Sequence, residues 1–416
     1  MINFERAVLD NGLRVLIHQD KTTPLTVLNV MYDVGSRDED PQRTGFAHLF
    51  EHLMFGGSEN VAKYDEPLER VGGENNAFTN SDLTNYYCSL PHQNLETAFW
   101  IESDRMNQLA FNPKSLEVQR NVVSEEFRQV YLNQPYGDAW LLLRPLAYVT
   151  HPYRWPTIGK EIKHVKEASM EDVKTFYKKY YNPNNAVLVV AGNTSPVEVM
   201  QLAEKWFGSI QNQNEAIVRK LPKEPVQTRQ REQTVERDVP ANALYLAFHM
   251  CDRHSPDYYT TDLISDILSN GNSSRLYQKL VKEQQLFSNI DAYITGEMDE
   301  GLFIVTGKIS DETDPEEAKA AVFRQLKEIS ERPVDPAELQ KVKNKVEAAL
   351  EYAEMSVLSR AVNLAFFEVL GDAGQINKQA EQYRKVTKEQ IQKLASELFR
   401  PTNCSILNYK AKIQNS

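Results

Sequence analysis

Residues 169–188, SMEDVKTFYKKYYNPNNAVL, recur in kind as residues 387–406, TKEQIQKLASELFRPTNCSI. Ser169, Val173, Phe176, Tyr180, Pro183, Asn185 and Leu188 align with Thr387, Ile391, Leu394, Leu398, Pro401, Asn403 and Ile406 at a constant offset of 218 residues. Each copy opens on a hydroxyl residue suited to capping a helix and continues with apolar residues at helical spacing. A Pro-containing turn and a strand follow. An offset near half of the 416 residues points to a duplicated unit of roughly 200 residues. The expected organisation is a first domain over 1–210, a polar linker over 211–236 that is rich in charge and glutamine, and a homologous second domain over 237–416. Strands near Leu13–Ile17, Leu25–Val34, Asn85–Leu90 and Val187–Ala191 alternate irregularly with helices near Phe46–Phe55, Leu95–Gln108, Pro113–Leu132 and Met170–Tyr180. That pattern predicts an α+β fold in which each domain is an antiparallel-rich sheet packed with helices.

A chain of this length exceeds one ordinary core. Its net charge of −11, without a basic block, argues against nucleic acid as a partner. Three cysteines, Cys88, Cys251 and Cys404, are far apart and include no Cys-x-x-Cys, which disfavours a disulfide framework or a thiolate metal site. The strongest apolar runs, Val187–Ala191 and Leu141–Leu143, fall far below the ~20 residues of a membrane span. With no signal-peptide pattern before the strand at Leu13–Ile17, a cytoplasmic location is expected, or a periplasmic one if a leader was removed.

The chemistry concentrates in His48-Leu49-Phe50-Glu51-His52. Histidines at i and i+4 share one helix face, so both rings can reach a single ion, and Glu51 lies beside them. The order His-x-x-Glu-His inverts the commoner zinc-peptidase motif. A hydrolytic zinc site uses three protein ligands and an open position. Among eight histidines only this pair has i,i+4 spacing, so the third ligand is sought among carboxylates. Residues 113–132 offer Glu125 and Glu126. With Leu116, Val123, Phe127 and Val130 as the apolar stripe, Glu126 falls nearer the core face and Glu125 on the solvated side. Glu126 is therefore the better candidate, although a solvated helix face is the ordinary fate of a Glu-Glu pair.

Taken with Gly72-Gly73-x2-Asn76-Ala77-Phe78-Thr79, Thr84-x-Tyr86-Tyr87 and Arg120-x-Val122-Val123-x-Glu125-Glu126, the motif resembles the M16 family of zinc peptidases, the pitrilysin and insulinase group. The resemblance implies a half-length, two-domain zinc endopeptidase that binds one Zn²⁺ per chain. His48, His52 and Glu126 become its ligands, Glu51 the acid–base residue, and Asn76, Ala77 and Phe78 an edge that takes an extended peptide. Two departures stand out. Gln119 replaces a glutamate common in the family. Val281 and Ser288 stand where active relatives carry an Arg and a Tyr that grip the substrate. The implied partners are a peptide or unfolded polypeptide and a motif-less related subunit supplying that Arg and Tyr, or a second copy of this chain. A non-catalytic assembly subunit retaining the fold is the rival reading, and a structural zinc site a third.

Overall fold

The computed structural model describes residues 1–213 and 217–412, so residues 214–216 of the expected linker and 413–416 of the expected second domain lie outside the described residues. Two compact units emerge. The first comprises residues 1–128, 155–221 and 351–378, and the second 129–154, 222–350 and the chain from 379 onward.

The first unit is built on strands β1 (Glu5–Val8), β2 (Arg14–Gln19), β3 (Leu25–Tyr32), β4 (Glu74–Thr79), β5 (Thr84–Pro91) and β6 (Ala186–Gly192), in the sheet order β1-β2-β6-β3-β5-β4. The second uses β7 (Arg231–Arg237), β8 (Ala243–His249), β9 (Phe287–Ile294), β10 (Leu302–Ile309) and β11 (Cys404–Ala411), in the order β7-β11-β8-β10-β9. The duplication is visible in these orders. β2-β6 and β7-β11 are the parallel pairs, every other neighbour is antiparallel, and β4 and β9 occupy corresponding edges. The aligned segments fold alike. Ser169 and Asp172 form a reciprocal capping box on the helix Met170–Tyr180, as do Thr387 and Gln390 on Lys388–Leu398, and each helix runs through a short Pro-initiated turn into β6 or β11.

The units depart from the expected boundaries in two places. The helix Ala139–Ala147, expected in the first domain, packs Ala139, Leu143 and Ala147 onto Ala243, Ala247, Leu302, Ile304 and Leu407 of the second sheet. The helix Val357–Val369, expected in the second domain, lies on β3 and β6 of the first. The physical reason is the two-sided burial of both sheets. All seven residues of β6 are buried, and along β8 Leu244, Leu246 and Phe248 face one core while Ala243 and Ala247 face another. A further difference is that residues 231–236, placed in the linker, form with Arg237 strand β7, pairing with β11.

Candidate metal centre

The helix Phe46–Leu53 buries Phe46, Leu49, Phe50 and Leu53, and Phe50 stacks on Phe176 and Tyr181 with ring centroids 5.1 Å away in each case. That apolar face turns His48, Glu51 and His52 to the half-buried side. The helix follows Gly45, whose φ of +90° suits glycine. Glycine has no side chain to cap the first turn, and Glu39 supplies the acceptors from outside the helix. Its Oε2 accepts from the Gly45 N–H and its Oε1 from the Ala47 N–H, both at 2.9 Å. Burial pushes the Glu39 pKa up to about 8, against these two amide donors.

The helix Pro113–Phe127 brings the third group. Asn112 caps it, accepting from the Lys114 N–H at 2.9 Å, and Pro113 occupies the first turn. Leu116, Val123 and Phe127 are buried, but Val130 is 42% exposed. Beyond Phe127 the helix widens to i→i+5 pairing over Arg128–Leu132, which rotates Val130 off the stripe. Glu126 lies against both histidines, with Oε1 3.6 Å from His48 Nε2 and Oε2 3.4 Å from His52 Nε2. Glu125 points elsewhere and pairs with Arg128 at 2.8 Å.

His48, His52 and Glu126 each offer one donor atom within 4.8 Å of the other two. A tetrahedral zinc ion bound at roughly 2.0–2.1 Å holds its donors about 3.4 Å apart, so the observed spacing fits that ion. His48 makes its contact through Nε2 alone, since its Nδ1 is buried without a hydrogen-bond partner. Side-chain exposure rises from 13% at His48 to 25% at His52 and 38% at Glu126, so the cluster opens to solvent on one side instead of closing as a structural site would. Protonation is suited to metal binding. Burial lowers the pKa of His48, partly offset by Glu126, and a hydrogen bond with His52 leads the lowering at Glu126, opposed by burial.

Below the histidine helix lies a buried ion pair that sequence reasoning did not single out. Arg105 binds Glu102 through two nitrogens, at 2.6 and 2.8 Å, with its guanidinium 4.3 Å from the rings of both Tyr64 and Tyr86. Tyr64 donates to the same carboxylate, and Tyr86 donates to the Phe50 carbonyl at 3.4 Å.

The edge residues occupy β4, the last strand of its sheet. The Asn80 N–H donates to the Leu83 carbonyl across the turn to β5, and antiparallel alternation then makes Phe78–Asn85 and Asn76–Tyr87 hydrogen-bonded pairs and Ala77–Tyr86 a non-bonded one. Ala77 accordingly turns its amide away from β5, where it meets only the Asn76 side chain at 2.8 Å. By the same alternation Asn75 and Thr79, absent from the sequence-based set, also present outward backbone groups. Val281 is half-buried against the core of the second unit, and Ser288 is exposed on β9, where its hydroxyl donates to the Lys308 carbonyl at 3.3 Å.

The family profile described as insulinase (peptidase family M16) matches residues 14–140, and the one described as peptidase M16 inactive domain matches residues 167–346. The chain belongs to the M16 peptidase family. It is 28% identical over 411 residues to a Helicobacter pylori protein named zinc protease PqqE, covering 98% of this chain and 92% of that one. To the mitochondrial-processing peptidase subunit beta of Saccharomyces cerevisiae it is 25% identical over 361 residues, 82% of this chain and 77% of that one. The crystal structure of a protease from Helicobacter pylori superposes with a TM-score of 0.94 at 28% identity, covering 99% of this chain and all of that one. The periplasmic protease PqqL of Escherichia coli shares the fold at a TM-score of 0.81 and 20% identity, with 98% of this chain matching 48% of that one. Among the described residues of this M16 member, no helix is long and apolar enough to cross a membrane.

Proposed function

We propose that the chain is a zinc-dependent endopeptidase acting on peptides or unfolded polypeptides held in extended form. The observation that carries this reading is the convergence of His48, His52 and Glu126 at zinc-like spacing beside Glu51. Bound zinc would supply Lewis acidity, polarising the scissile carbonyl and drawing the pKa of water towards ~7. His48 and His52 act as neutral donors and Glu126 as an anionic one. Glu51, one residue before His52 on the same helix, accepts the proton of the attacking water and returns it to the leaving amine. The outward amide of Ala77 donates to a substrate carbonyl as the peptide adds a strand to β4. Such backbone pairing gives affinity with little side-chain selectivity. Three free cysteines suit a cytoplasmic setting.

A related subunit without the His-x-x-Glu-His motif completes the enzyme. Val281 and Ser288 support that part of the reading, since a half-buried valine has no donor and a serine hydroxyl already donating to a strand carbonyl lacks a charge-assisted one. The same two residues favour the rival, an assembly subunit that keeps the fold without catalysis. The test measures zinc content and cleavage of an unstructured peptide, alone and with candidate partners, for the wild type and Glu51→Gln. The enzyme reading expects about one zinc per chain in both, with cleavage only in the wild type and raised by the partner. Absence of zinc, or no cleavage in any combination, leaves the scaffold reading.

A further inference from the structure

The histidine helix has eight residues, barely two turns, and so short a helix draws little stability from its own hydrogen bonds. His48 sits in its first turn, where fraying concentrates, while His52 sits in the second. The usual remedy, a Ser, Thr, Asp or Asn at the cap, is closed to this helix. A Cβ on Gly45 would meet the Ile158 carbonyl oxygen at 2.6 Å and Val165 Cγ2 at 2.9 Å, and the backbone there is left-handed. The acceptors come instead from Glu39, only 6% exposed, whose two oxygens take the amides of Gly45 and Ala47. Further contacts hold the approach to the helix. The Thr44 N–H donates to His164 Nδ1 at 3.1 Å, and the Lys160 N–H donates to Thr44 Oγ1 at 2.9 Å. The indole of Trp155 donates to the Ser36 carbonyl at 2.9 Å, fixing the loop from which Glu39 projects.

We propose that Glu39 is a positioning residue for the metal centre, a remote cap that orders the first turn of the histidine helix and so fixes the His48 ring against Glu126. The Glu39 carboxylate takes the Gly45 and Ala47 amides, and its effect on the histidines runs through them. The proposal rests on the reading of His48, His52 and Glu126 as metal ligands.

The test uses cobalt(II) as the probe in the full chain, reading its dissociation constant and the visible absorption of the tetrahedral ion. Glu39→Gln keeps the volume but turns one acceptor into an NH₂ donor facing an amide N–H. Glu39→Ala removes both acceptors. Loss of a group that orients metal ligands costs about 10- to 100-fold in affinity, and that is the weakening expected for both variants, with weaker visible bands and an unchanged circular dichroism spectrum. Wild-type affinity and bands in the folded variants overturn the proposal. If neither variant folds, hydrogen exchange on the unaltered metal-free chain decides. Gly45 and Ala47 amides protected like those of the helix interior support it, and exchange at loop rates overturns it. A wild-type chain that binds no cobalt, or binds it equally well as His48→Ala, would instead sink the metal-site reading itself.

Discussion

Replacing Ala77 with proline separates peptide binding from folding, because the Ala77 amide faces away from its own sheet. The bond that proline removes within the chain is the exposed contact with the Asn76 side chain at 2.8 Å, so the fold loses almost nothing. A peptide lying along β4 loses one amide donor. A net hydrogen bond of about 0.5–1.5 kcal/mol corresponds to roughly a 2- to 13-fold weaker dissociation constant, and the ring adds steric exclusion to that. The assay is fluorescence anisotropy of an unstructured labelled peptide on zinc-loaded Glu51→Gln protein, with and without Ala77→Pro. The expected result is weaker binding, unchanged zinc content and a melting temperature near that of the parent. Asn76→Pro is the contrasting variant. It breaks a ladder bond to Tyr87 and lowers the melting temperature. Undiminished peptide affinity in Ala77→Pro would refute strand addition at this edge.

Three other outcomes follow from the same geometry. Glu126→Ala is expected to abolish tight zinc loading, whereas Glu125→Ala, which removes only an exposed pair with Arg128, leaves it intact; atomic absorption after dialysis distinguishes them, and the opposite pattern would mean the wrong carboxylate. Burial holds the folded His48 pKa below its unfolded value near 6.5, so its contribution to stability is fully present above that pH and is lost as pH falls through it. Urea titrations of the metal-free chain between pH 7.5 and 5.5 should thus show a steeper decline for the wild type than for His48→Gln, and parallel declines would contradict the assignment. Arg105→Met leaves Glu102 buried without its cation and is expected to cost about 3–5 kcal/mol in denaturant unfolding, largely restored by adding Glu102→Met. A loss below about 1 kcal/mol would show that water reaches the carboxylate.

Much of the fold was legible because its signals are local. The capping boxes at Ser169 and Thr387, the apolar spacing behind them and the Pro turns specify the same helix–turn–strand unit twice, and no distant contact is needed to read them. The assignment of two helices to units was not legible. An apolar stripe such as Ala139, Leu143 and Ala147 says that a helix packs on something, and only the exposed second face of the other sheet decides what. Strand β4 escaped for a different reason. Glu-Asn-Asn-Ala-Phe-Thr lacks the apolar alternation of a buried strand because an edge strand buries little, and Asn76 was placed there by resemblance alone.

At the candidate metal centre, sequence picks out the residues that cluster and says little about what supports them. The His48–His52 spacing follows from helix geometry, and one stripe of apolar residues suffices to rank Glu126 above Glu125, even though the widened turn at Arg128–Leu132 removes Val130 from that stripe. Glu39 left only a negative signal, a helix opening on glycine with no Ser, Thr, Asp or Asn at its cap and no acidic residue in its first turn. Such a gap states that two amides need acceptors without saying where these come from. The answer lies six residues upstream, in a loop held by a tryptophan more than a hundred positions later in the chain. Short helices that carry catalytic pairs and begin at a left-handed glycine are therefore places to look for a buried carboxylate on the preceding loop, because the steric exclusion that demands glycine also forbids the ordinary cap.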